Sequence, residues 1–146
     1  MLKFENKTAG VSDILNHLTE CNDNFIPPLS LKVNLDEYSR KIFDKAVTFE
    51  AWDDRRLVGL VAAYLNDVET GTGFVTSVSV VKDFTGQGIA SRLMVACIEY
   101  AKQRQFKQLK LEVNQRTESA IKIYQKLGFV ETETKGDSVF MSLDLR

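Results

Sequence analysis

The spacing of hydrophobic residues changes along the chain and predicts helices first, strands next, and a mixture of both last. Near the N-terminus, apolar residues recur at helical spacing over 11–21 and 35–46, and Asn34 is a suitable N-cap for the second helix. A short strand over 2–6 precedes these helices, and Pro27-Pro28 predicts an extended loop between them.

A strand-rich segment follows and then gives way to alternating helices and strands. We expect an antiparallel meander of three strands over 47–52, 57–66 and 74–81. The elements after them are a helix over 89–104, a strand over 108–114, a helix capped by Thr117 and ended by Gly128, and strands over 130–134 and 139–145. The order predicts a mixed α+β fold with about four helices around a mostly antiparallel sheet that contains one parallel pair.

Composition narrows the classes of partner and compartment. A length of 146 residues fits one domain over 1–146, and a net charge of −1 gives no electrostatic reason to expect a nucleic-acid or membrane partner. Cys21 and Cys97 lie far apart, so we expect no disulfide framework and a cytoplasmic location. No His, Cys or carboxylate cluster has metal spacing, so no metal is expected.

A glycine-rich turn between a strong strand and an amphipathic helix carries the first chemical signal. The turn is Thr85-Gly86-Gln87-Gly88-Ile89-Ala90. A helix N-terminus offers free backbone N–H groups and a partial positive charge, and glycines let a phosphate approach them. The turn lacks the GKS or GKT of a Walker loop and the third glycine of a dinucleotide fingerprint. On its own it is compatible with an anion site and with a plain strand-to-helix turn.

With this turn and the element order together, the chain resembles the GCN5-related N-acetyltransferase (GNAT) superfamily. The family turn has the pattern Arg/Gln-x-x-Gly-x-Gly/Ala, and Gly88 and Ala90 match its small residues, whereas Thr85 replaces the usual Arg or Gln. A second block also matches: Leu111-Glu112-Val113, Ala120, Tyr124 and Leu127-Gly128-Phe129. Thr117 stands where the family commonly has Asn.

The resemblance implies a GNAT-like acyl-CoA N-acyltransferase fold in which acetyl-CoA lies where two parallel strands splay apart. The edge of Val78–Val80 would pair with the pantetheine arm, amides near Gln87–Ser91 would hold the pyrophosphate, and the amide near Val80 would stabilise the oxyanion. The implied cofactor contacts are Val78, Ser79, Val80, Gly86, Gln87, Gly88, Ile89, Ala90, Ser91, Asn114, Thr117, Ala120 and Tyr124.

Direct attack of an amine on the thioester requires two proton transfers. The resemblance makes Tyr124 the general acid at the CoA sulfur, although its place on a helix face also suits core packing. Glu112 is the candidate base, and a water relay could take its place. Alternatively, Glu112 is a surface residue without a catalytic role, paired with Lys110 or Lys122. Further carboxylate or hydroxyl candidates on neighbouring strands are Asp67, Glu69 and Ser77. His17 is the single histidine, and a lone histidine on a helix is usually structural or solvated.

The acceptor is expected to be a small-molecule amine bound near the first two helices and their loop. Side chains available to line that site are Phe25, Ile26, Pro27, Pro28, Tyr38, Trp52 and Tyr64. A protein acetyltransferase is the enzymatic alternative, and a non-catalytic acyl-CoA-binding module is the alternative from another class. A homodimer is compatible with the resemblance, but no interface is visible in the sequence.

Overall fold

The computed structural model describes residues 1–146 and contains four α-helices and seven β-strands. The helices are α1 (Val11–Cys21), α2 (Leu35–Lys45), α3 (Ile89–Gln103) and α4 (Glu118–Lys126). The strands are β1 (Leu2–Asn6), β2 (Val47–Asp53), β3 (Arg56–Asp67), β4 (Thr72–Val80), β5 (Gln108–Asn114), β6 (Val130–Lys135) and β7 (Ser138–Asp144). The predicted mixed α+β class is confirmed, and element boundaries agree within two residues. No helix is both long and apolar enough to cross a membrane.

All seven strands form one sheet of order β1-β2-β3-β4-β5-β7-β6, in which only β4 and β5 run parallel. Their pairing joins Thr72–Val75 to Gln108–Leu111 and stops there. Beyond that point, β4 continues to Val80 and β5 to Asn114 without pairing to each other. The two strands therefore splay apart, as the resemblance implies.

A β-bulge in β4 coincides with the start of this splay. Ala62 of β3 opposes Ser77 and Ala63 opposes Val75, so Thr76 is an extra residue on β4. A bulge bends its strand and increases the local twist, which favours divergence of β4 from β5. The Tyr38 hydroxyl donates to the Thr76 carbonyl oxygen at 2.8 Å and lies 2.7 Å from Thr76 Oγ1, so α2 holds the bulge in place.

The sheet is covered on both faces, because β3 is buried along most of its length. Helices α1 and α2 pack on one face over a cluster that includes Ile14, Leu18 and Leu60. Helix α3 packs on the other face and crosses β3 at Gly59, where an added Cβ would lie 2.7 Å from Ile89 Cγ2. Glycine thus allows the N-terminal end of α3 to approach the sheet closely.

Glu50 is a fully buried carboxylate that the sequence did not single out. It accepts hydrogen bonds from Thr8 N (3.0 Å), Ala9 N (3.1 Å), Thr48 Oγ1 (2.6 Å) and Trp52 Nε1 (3.0 Å). Burial pushes the pKa of Glu50 upward, but these donors outweigh it and hold the pKa below its usual value. The carboxylate fixes the segment that leads from β1 into α1.

His17 is also buried and links α1 to two strands. Its Nδ1 lies 2.9 Å from the Leu57 carbonyl oxygen, and its Nε2 lies 2.8 Å from Ser79 Oγ. A carbonyl oxygen can only accept, so Nδ1 carries the hydrogen, and Nε2 of the neutral ring accepts from the Ser79 hydroxyl. His17 is therefore a structural histidine that holds Ser79 against α1.

The burial of His17 makes the stability of the fold sensitive to acid. Desolvation lowers the pKa of His17, although the Leu57 carbonyl and the charge of Glu20 oppose this shift. Below the unfolded value of about 6.5, the unfolded chain binds a proton that the folded chain resists. The free energy of unfolding therefore falls as the pH falls below this value, by at most about 1.4 kcal/mol per pH unit for one group.

We expect His17→Gln to flatten this pH dependence, since an amide can donate to Leu57 and accept from Ser79 without titrating. The measurement is urea unfolding at about pH 7.5 and about pH 5.5, on either side of the pKa of histidine in the unfolded chain. The decrease in the free energy of unfolding from the higher to the lower pH should be smaller in the variant than in the wild type. An equal loss in both proteins would show that His17 does not contribute to it.

Candidate active site

The turn between β4 and α3 exposes backbone donors at the open end of the splay. Gly86 and Gly88 have φ of 81° and 75°, in the left-handed region that favours glycine. A Cβ built on either glycine meets no atom within 4 Å, so the space around this turn is open. The N–H of Arg92 is bonded to the Gly88 carbonyl oxygen at 3.0 Å, so the preceding N–H groups of α3 have no acceptor within the helix.

Thr85, which departs from the family pattern, uses its hydroxyl inside the turn. Its Oγ1 donates to the Lys82 carbonyl oxygen at 2.8 Å, closing the short 3₁₀ turn Lys82–Phe84. Arg56 supports the same turn from outside through an ion pair with Asp83 at 3.3 Å. These contacts hold the turn, and the backbone N–H groups of Gly86–Gly88 make no hydrogen bond to the backbone.

A cavity of about 490 Å³ extends from this turn into the splay. It is lined by Asn24, Phe25, Val78, Ser79, Val80, Phe84, Thr85, Gly86, Gly88, Ile89, Ala90, Ser91, Ser119, Ala120, Ile123 and Tyr124. None of these side chains is charged. An anion bound here would depend on backbone N–H groups and the dipole of α3.

A second cavity of about 210 Å³ lies beside the first, on the side of β5 and the α1–α2 connection. Its lining includes Ile26, Pro27, Lys32, Ser77, Glu112, Asn114 and Thr117. The residues that line both cavities are Asn24, Phe25, Val78, Ala120 and Tyr124. These shared residues mark where two ligands could meet.

Tyr124 lies at this junction and is 6% exposed. Helix α4 ends just after it, with Phe129 N donating to the Tyr124 carbonyl oxygen at 2.9 Å, while Gly128 takes a φ of 103°. The Phe129 ring packs at 6.0 Å from the Tyr124 ring. Burial raises the pKa of Tyr124 well above its usual value, so the phenol is protonated at neutral pH and its hydroxyl can donate a hydrogen bond.

Glu112 is exposed on β5 and lines only the second cavity. Its Oε2 accepts from the Ser138 hydroxyl at 2.6 Å, so its partner is neither Lys110 nor Lys122. This contact orients the carboxylate and leaves its other oxygen without a protein hydrogen bond.

Asn114 and Thr117 line the second cavity, whereas the resemblance made them cofactor contacts. The Asn114 Oδ1 accepts from Arg116 N at 2.9 Å and so stabilises the turn into α4. Thr117 occupies the N-cap position of α4, but its side chain makes no capping hydrogen bond, so the predicted capping role is wrong. Its backbone, with ψ of 65°, departs from the extended conformation that usually accompanies such a cap.

The remaining candidate site residues differ in whether they line one of the two cavities. Gln87 is exposed and lines neither cavity, and Asp67 and Glu69 lie by the β3–β4 connection, away from the splay. Among the side chains proposed for the acceptor side, Phe25, Ile26 and Pro27 line the second cavity. Lys32 also lines it and was missed, because a lysine in a loop carries no periodic or motif signal.

Comparisons with known proteins agree with this geometry. Residues 11–129 match the model of the acetyltransferase (GNAT) family. N-alpha-acetyltransferase 30 of Schizosaccharomyces pombe is 35% identical over 85 residues, which cover 56% of each chain. The match therefore spans about half the length of that relative.

Solved structures share the fold at lower identity. The ribosomal-protein-S18-alanine N-acetyltransferase of Escherichia coli superposes with a TM-score of 0.79 at 17% identity, covering 99% of this chain and 94% of the other. The paia N-acetyltransferase of Thermoplasma acidophilum, in complex with coenzyme A, gives 0.74 at 12% identity, covering 97% and 99%. The family model spans most of the chain and both halves of the splayed site, and the chain belongs to the acetyltransferase (GNAT) family.

Proposed function

We propose that the protein transfers an acetyl group from acetyl-CoA to a primary amine. The observation that carries this proposal is the pair of cavities that meet at Tyr124 between the splayed strands. The first cavity ends at a helix N-terminus suited to phosphate, and the second contains a carboxylate suited to an amine. This arrangement provides a place for each of the two substrates.

The first cavity suits acetyl-CoA, which supplies an acyl group activated as a thioester. The backbone edge of Val78–Val80 has no strand partner on the β5 side and can hydrogen-bond the pantetheine arm. Backbone N–H groups at Gly88–Ser91 can bind the pyrophosphate, and the glycines leave room for it. We propose these residues as the cofactor site.

Tyr124 and Glu112 are proposed to move the two protons. The Tyr124 hydroxyl, protonated and located at the junction, would give its proton to the departing sulfur. Glu112 would receive the amine proton, directly or through a water, while Ser138 holds its other oxygen. The exposure of Glu112 makes a water relay compatible with this role.

The acceptor would present its amine to the second cavity. At about 210 Å³ this cavity is smaller than the roughly 300–1,000 Å³ typical of drug-sized ligand sites. It suits a group about as large as one amino-acid residue, either as a small metabolite or as the first residue of a polypeptide. The names of the yeast relative and of the bacterial neighbour favour a protein acceptor as the second candidate. The two free, buried cysteines accord with a cytoplasmic location, which we also propose.

Turnover with Tyr124→Phe tests the proposal. Purified protein with acetyl-CoA and a panel of amines should release free thiol, and the variant should turn over about 100-fold more slowly because it lacks the donated proton. CoA affinity should stay nearly unchanged, since the ring remains packed on Phe129. Tight CoA binding without turnover on any amine would favour the non-catalytic binding module. Unchanged turnover in Tyr124→Phe would remove the general acid.

Gly88→Glu should weaken CoA binding at least about tenfold, because the new carboxylate would repel the pyrophosphate. Gly136→Glu is the matched control, since Gly136 also has positive φ and no neighbour within 4 Å of its Cβ position. Both changes place a side chain in left-handed backbone and should cost about 1–2 kcal/mol of stability. Equal CoA affinity of the two variants, measured by calorimetry, would contradict the phosphate turn.

Glu112→Gln should lower kcat by about 100-fold if the carboxylate takes the proton directly. Glu133→Gln, at another exposed strand position, provides a control for loss of one surface charge. The kcat of both variants should be measured over a range of pH. A water relay that does not need the carboxylate would leave the kcat of Glu112→Gln close to that of the control.

A further inference from the structure

The second cavity contains two charged side chains of opposite sign, and only one of them has a proposed chemical role. Glu112 lies on β5 and Lys32 on the connection between α1 and α2, and both line the cavity. The other lining side chains are uncharged. Because Lys32 has no part in either proton transfer, its presence in the cavity calls for a separate explanation.

The backbone that carries Lys32 is well fixed. Its N–H donates to the Leu29 carbonyl oxygen at 2.9 Å, and Leu29 is buried in the core beneath α1 and α2. Asn22 binds the same turn, since its Oδ1 accepts from Ser30 N at 2.7 Å and its Nδ2 donates to Ser30 Oγ at 3.1 Å. The turn therefore presents Lys32 to the cavity from a defined position.

The ammonium group of Lys32 has no acidic partner, because the ion pairs of the structure involve other residues. Glu112 is engaged by Ser138, and it lines the cavity together with Tyr124, the two residues proposed to move the protons. An uncharged acceptor that filled the cavity would remove water from Lys32 and return no interaction. An acceptor with an anionic group would replace that water with a charge-assisted hydrogen bond.

We propose that Lys32 selects acceptors that carry a carboxylate a few bonds from the reacting amine. This rests on the proposed acetyl transfer and specifies its substrate class. A free amino acid would supply the carboxylate from its main chain. A polypeptide whose first residue is Asp or Glu would supply it from a side chain. In both, the amine would point toward Tyr124 and Glu112 and the carboxylate toward Lys32.

The test compares kcat/KM for acceptors that differ only in a carboxylate. One arm uses leucine against leucinamide, and the other uses peptide amides that begin with Glu against the same peptides beginning with Gln. Each is measured with the wild type, Lys32→Met, Lys32→Arg and Lys102→Met. Lys102 lies in the last turn of α3 and lines neither cavity, so it controls for the loss of one positive charge. Comparing acid-to-amide ratios between proteins cancels the different basicity of the two amines.

In at least one arm, Lys32→Met should reduce the acid-to-amide ratio by about tenfold or more, the size expected for a lost hydrogen bond to a charged group. Lys32→Arg and Lys102→Met should keep the ratio within about threefold of the wild type, a difference smaller than one such bond. The arm in which the ratio falls shows whether the carboxylate comes from the main chain of a free amino acid or from the first side chain of a polypeptide. Ratios unchanged by Lys32→Met in both arms, with turnover retained, would overturn the role of Lys32 alone. Absence of wild-type turnover on every amine, with CoA still bound, would overturn the proposed function and this inference together.

Discussion

The hydrogen bonds between β4 and β5 stop at Val75 and Leu111, and the site depends on that limit. A fully paired sheet would leave no free backbone edge and no space between these strands. The bulge at Thr76 turns β4 away at this point, and Tyr38 of α2 fixes the bulged residue. Helix α2 thus helps to keep β4 and β5 apart, and both cavities lie at the opening between these strands.

The two cavities differ in how they use charge. The first is lined by uncharged side chains and offers backbone N–H groups at the start of α3, which suit an anion without a basic residue. Thr85 stands in place of the Arg or Gln of the family pattern, and its hydroxyl is used within the turn itself. The second cavity, by contrast, is lined by one basic and one acidic residue, Lys32 and Glu112.

Buried polar contacts attach α1 to the sheet beside this opening. His17 joins the helix to Ser79, which lines the first cavity, and Glu50 fixes the segment that leads into α1. The loop after α1 carries Phe25 to the junction of both cavities. Each of these groups is hydrogen-bonded or packed at its site, so α1, β4 and the loop after α1 form one connected structure.

Local patterns in the sequence determined the elements, the mixed α+β class and the position of the glycine-rich turn, because periodicity, caps and glycines act over a few residues. The family blocks around Gly88 and Tyr124 added the expectation of a splayed pair and a two-part site. Tertiary structure alone decided that Glu112 pairs with Ser138, that Thr117 lines the second cavity without capping α4, and that Lys32 lines that cavity. It also decided the burial of Glu50 and His17. These outcomes depend on contacts between residues far apart in the chain, and a single sequence carries no local signal for such contacts.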